Sequence, residues 1–228
     1  MGEWGQVTLF RTDDLDALES DIYELPECFC RVRPGNHLHG SAGLQGRHAL
    51  AGGGLPMTPT FPSLRIHDSR DRVVLRDGLL FCFFMRRSHG DVSEGLWRAV
   101  QTYRSARPAR ALAWYAMPDG EWAPLDDAGW ESVRGEILET RWPTGSEVRL
   151  QESHTEVCAH GFEYTGKWLD APTWQGQEEV VSAAAFTLPT DFLVEHGSGH
   201  VRSLALALAA ELPWRFGYVS PAFIRGAG

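Results

Sequence analysis

Hydrophobic periodicity becomes legible at Val73 and continues to Ile224. Residues 73–75 and 79–85 read as two strands, or as one strand interrupted at Asp77-Gly78. The second run, LLFCFFM, is apolar at every position, as expected of a strand buried on both faces. Val92, Leu96, Ala99, Val100 and Tyr103 then recur at helical spacing, with Pro108 marking the exit. A strand at 111–117 turns at Pro118-Asp119-Gly120. Asp126 or Asp127 caps a helix whose Trp130, Val133 and Ile137 share one face.

The second half repeats the logic. Strands are expected at 147–153, 157–164 and 180–188. Thr190 caps a short helix that stops at Gly197, and a longer helix places Val201, Leu204, Ala205, Leu208 and Leu212 on one stripe before Pro213. Residues 215–224 form a last strand. Strand-helix-strand thus occurs twice, which predicts an α+β fold: a mostly antiparallel sheet with helices on one face, built from two pseudo-repeated βαβ units.

Residues 1–62 carry no such pattern beyond a turn or two of helix near 15–25. Within 33–62 lie Gly35, Gly40, Gly43, Gly46, Gly52-Gly53-Gly54 and four prolines, so a loop or disorder is expected. The domain reading is therefore a poorly structured segment at 1–62, with Met57 as an alternative start, and a folded domain at 63–228.

Charge sharpens this picture. The net charge is -9, from 21 basic and 30 acidic residues, and Lys167 is the single lysine. A general nucleic-acid binder needs clustered positive charge, so that class is disfavoured. Residues 119–195 hold 16 Asp/Glu against 4 Lys/Arg, whereas residues 73–118 hold 7 basic and 3 acidic. The N-terminus lacks the basic-then-apolar pattern of a signal peptide, no stretch is apolar enough to span a membrane, and four scattered cysteines make no disulfide scaffold. A cytoplasmic protein is expected.

Catalytic signatures are missing from the sequence: no phosphate loop, no G-x-S-x-G elbow and no H-E-x-x-H. The metal candidate is His154, Glu156, Cys158 and His160, which share one face if the segment is a strand. Such a line of ligands spans roughly 20 Å, so one ion reaches only two of them. A second set, Cys28, Cys30, His37 and His39, departs from the usual zinc spacings. Neither outweighs an ordinary polar loop or strand, and no cofactor is expected. Among nine tryptophans, Trp168 and Trp174 flank an apparent loop, a pattern common at interfaces.

Several segments carry a family resemblance: LLFCFFMRR at 79–87 with the helix after it, Leu112-Ala-Trp-Tyr115, EWAPLDDAGW at 121–130 and Phe162-Glu-Tyr164. The most specific is VSAAAFTLPTDFLVEHG at 181–197 leading into VRSLALALAAELP at 201–213. Over about 73–223 the chain resembles the type VI secretion immunity family, some of whose members look like inhibitors of VRR-type nuclease toxins. Family members continue beyond the last strand, so the chain reads as a truncated member. The resemblance implies a non-catalytic antitoxin that binds a cognate toxin and occludes its active site. Asp126, Asp127, Glu131, Glu136 and Glu139 are then the first carboxylates to test as the partner-binding face, with Trp168 and Trp174 beside them. A metal-binding protein and a degenerate, non-functional remnant stay open as alternatives.

Overall fold

The computed structural model describes residues 7–10 and 63–225, apart from 109, 140, 141, 144, 175, 178 and 179. Residues 15–25 and 33–62, with the helix turn and the loop expected there, lie outside the described residues, as do Cys28, Cys30, His37 and His39. Thirteen elements follow one another: β1 (Val7–Phe10), β2 (Arg65–His67), β3 (Val73–Met85), α1 (His89–Ser105), β4 (Trp114–Ala116), β5 (Trp122–Pro124), α2 (Asp127–Leu138), β6 (Gly145–Gln151), β7 (Gly161–Lys167), a 3-10 turn (Pro172–Trp174), β8 (Ser182–Leu188), α3 (Thr190–Glu211) and β9 (Phe216–Arg225). The α+β class is as the periodicity predicts.

The apolar run at 79–85 explains the architecture. Its strand does not break at Asp77-Gly78: β3 runs through all thirteen residues and pairs along its length with β9. A side chain at Gly78 would come within 2.9 Å of Ile224 Cγ1 and 3.1 Å of the Leu188 carbonyl oxygen, so the bare glycine lets neighbouring chains close in. The nine strands form one antiparallel sheet in the order β1-β9-β3-β8-β7-β6-β4-β5, with β2 against the first part of β3.

Alternation along each strand sorts the two faces. Leu79, Phe81, Phe83 and Met85 join Val148, Leu150, Phe162, Tyr164, Phe186 and Val219 beneath the helices. All three helices send apolar side chains into this core: Val92, Leu96 and Val100 from α1, Trp130, Val133 and Ile137 from α2, and Val201, Leu204 and Leu208 from α3. Phe186 is its hub, with ring centres 4.9 Å from Phe162, 5.2 Å from Tyr103 and 6.2 Å from Phe83. Leu80, Cys82, Phe84, Ala183 and Ala185 form a smaller cluster on the opposite face.

Two strand-helix-strand units straddle an intervening strand: β8-α3-β9 around β3, and β5-α2-β6 around β4. The N-terminal unit is built on α2 and not on α1, because β8, β7 and β6 lie between β3 and β4. Other differences are local. Pro189, not Thr190, is the N-cap of α3, and the two expected helices there join across a kink at Gly197. The strand expected at 157–164 begins only at Gly161, and the residues before it are a loop. β1, β2 and β5, each three or four residues long, have no counterpart in the periodicity.

Candidate functional site

Five carboxylates and no Lys or Arg occur between residues 119 and 133. The fold gathers them along one border of the sheet. Asp119 and Glu121 belong to the turn joining β4 to β5, where Gly120 takes φ +90. β5 is the last strand in the sheet order, and Asp126 and Asp127 follow it directly. An edge strand exposes unpaired backbone groups, and Pro124 together with the flanking charges discourages indiscriminate pairing there.

The expected carboxylates divide by role. Asp126 is the N-cap of α2, its Oδ1 accepting the Gly129 N–H at 2.9 Å. Glu136 accepts the indole N–H of Trp142 at 2.9 Å, and Glu139 pairs with Arg134 at 3.3 Å. Asp127 and Glu131 are exposed one helical turn apart, with no ion pair among the described residues. At 100° per residue, Glu136 lies on the side of α2 opposite the Asp127/Glu131 flank, and Glu139, the C-cap, about a quarter turn round from that flank. The helix therefore does not present all five on a single face.

Nor does the wider acidic block form one surface. Glu147 and Glu163 project from the sheet on the side opposite the helices, since their neighbours Val148 and Tyr164 face the core. Glu163 stands directly across from Arg149, which also bonds Glu147. Glu152 meets His160 at 3.5 Å in the loop between β6 and β7, and Asp191 and Glu195 lie on α3. Among the described residues, the concentration read from the sequence persists at the β5/α2 border. Chain neighbours landed on different faces because strands alternate sides and hairpins reverse direction.

Trp168 and Trp174 are half-buried. The Trp168 ring meets His89 edge-on at 5.0 Å and covers Gly90 at the start of α1. The Lys167 ammonium lies 4.9 Å from the centre of the Trp174 ring. Both indoles thus carry internal packing, whatever else they touch.

The strand that would align His154, Glu156, Cys158 and His160 does not form; residues 152–160 are loop. His154 packs on Trp114 with ring centres 4.0 Å apart. The Cys158 thiol donates to the Ser153 carbonyl and accepts its N–H, both at 3.0 Å, and burial pushes it above the ordinary thiol value. A thiol held protonated is a poor metal ligand. His160 is turned to Glu152. Among the described residues no group of three or more His, Cys, Asp or Glu side chains is arranged to hold a metal.

Among the described residues no helix is long and apolar enough to cross a membrane. A search of curated proteins finds no match. A solved structure, the Pseudomonas aeruginosa T6SS protein PA0821, superposes with a TM-score of 0.57 at 16% identity, over 72% of this chain and 47% of that one. The chain spans about half the length of that protein, and at this identity the likeness is one of fold. The sequence model of the family described as type VI immunity for VRR-NUC matches residues 95–226, which is more than half the chain and runs from within α1 through the β5/α2 border to the end of β9. The chain belongs to that type VI immunity family.

Proposed function

We propose that this chain is a cytoplasmic immunity protein that binds a type VI effector carrying a VRR-type nuclease domain and blocks its active site, without catalysis of its own. Membership of the immunity family carries the reading. The charge pattern supports it. A nuclease groove is positive because it accommodates phosphates, and a carboxylate-lined border gains fast, steered association with such a groove. In this proposal the contact is made by Asp119, Glu121, Asp127 and Glu131, with the capping Asp126 beside them. Trp168 and Trp174 are a secondary contact in this proposal.

Growth rescue tests it. The effector's nuclease domain is induced in a heterologous bacterium with or without this chain, and chromosomal DNA is followed alongside colony counts. Neutralisation predicts survival and intact DNA only when the chain is present. Killing and degradation unaffected by a stably expressed chain would refute the proposal, and would favour a member of the family that no longer inhibits.

A further inference from the structure

The kink in α3 brings two imidazoles together. His196 ends the first part of the helix and His200 lies in the first turn after the break, both exposed. Gly197 makes the corner at φ 78, ψ 164, a conformation that glycine reaches without strain. Phe192, buried at the base, backs both rings, with centres 4.6 Å from His196 and 5.5 Å from His200. The two imidazoles stand 5.1 Å apart, centre to centre, at an interplanar angle of 35°.

That spacing suits a shared ion. A metal about 2.1 Å from one nitrogen of each ring lies roughly 3.2 Å from each ring centre, which puts the centres about 4.5–5.2 Å apart for angles from square to tetrahedral. We infer that His196 and His200 form a two-imidazole site for a borderline transition-metal ion, Cu(II) before Ni(II) or Zn(II). The ranking follows the general order of affinity of nitrogen sites for divalent ions. Among the described residues no third His, Cys, Asp or Glu completes the set, so water or a ligand from another molecule fills the remaining positions. Glu195, whose Oε2 is 3.9 Å from His196 Nε2, lies outside bonding range but adds negative charge beside the site. The ordered wall of Phe192 and the glycine corner hold the rings near chelating distance before metal arrives, which lowers the entropy cost of binding.

The test is a titration of the full chain with Cu(II), Ni(II) and Zn(II) by calorimetry, with copper paramagnetic resonance to identify nitrogen ligands. One equivalent of Cu(II) with nitrogen coordination is expected, binding more tightly than the other two ions. His196→Asn and His200→Asn should each weaken binding at least by the roughly tenfold that loss of a mere supporting residue costs a metal site. Control variants His37→Ala/His39→Ala and His154→Ala/His160→Ala should leave it unchanged. Copper binding that survives His196→Asn/His200→Asn, or disappears instead in a control variant, overturns the assignment. Gly197→Ala, which leaves both ligands in place, should weaken binding by disturbing the corner, and unchanged affinity there would refute the preorganised geometry.

Discussion

At the scale of single residues, the most demanding spot is the buried contact among His89, Tyr164 and Gly166. His89 is 1% exposed, and its Nδ1 lies 2.9 Å from the Tyr164 hydroxyl. The contact ties the start of α1 to β7. Any side chain at Gly166 would come 2.3 Å from the Tyr164 oxygen and 2.7 Å from His89 Nδ1. Gly166→Ala should therefore destabilise the protein by about 1–3 kcal/mol in denaturant unfolding, the usual cost of overpacking. Burial holds His89 below its ordinary value, so the unfolded chain takes up the proton first as pH falls. Its contribution to stability is intact above the unfolded value near 6.5 and declines below it, by up to about 1.4 kcal/mol per pH unit until the folded ring also titrates. Unfolding free energies measured between pH 7 and 5 should show a shallower fall in His89→Gln than in the parent.

At the scale of elements, Asp126 separates two roles that the sequence alone joins. As N-cap it satisfies the Gly129 N–H, and as a carboxylate it adds charge at the border. Asp126→Ala should cost about 1 kcal/mol of stability, whereas Asp126→Asn should cost only a few tenths because asparagine caps equally well. A large binding loss in Asp126→Asn with unchanged melting would place its charge in the interface. The three helices were legible in the sequence because Val92 to Tyr103, Trp130 to Ile137 and Val201 to Leu208 repeat at helical spacing over several turns. β5 was not, since three residues ending in proline carry no period. The loop before β7 resembles a strand for a related reason: the alternation His154, Glu156, Cys158 looks like a pleat, yet local bonds from Ser153 to Cys158 fold it into a turn.

For the whole molecule, fold class and family were readable from apolar patterning and characteristic segments, whereas the partner surface was readable only in part. Charge counted along the chain cannot say which face a carboxylate occupies. Glu147 and Glu163 lie on the far side of the sheet, and the border at β5 and α2 keeps Asp119, Glu121, Asp126, Asp127 and Glu131. The packed interior is independent of that border: Phe186→Ala, at the hub of the core, should cost about 3–5 kcal/mol in thermal or denaturant unfolding. Exposed changes at Asp127 and Glu131 should leave stability within about 0.5 kcal/mol.

The central claim is that this acidic border meets the positive groove of a VRR-type nuclease. The most direct test is the association rate of the chain with the purified nuclease domain, measured at low and high salt for the parent and for Asp127→Lys/Glu131→Lys. The account predicts binding by the parent, a rate about tenfold lower in the charge-reversed variant at low salt, and convergence of the two as salt screens the border. Equal rates at low salt, with both proteins folded, would contradict it.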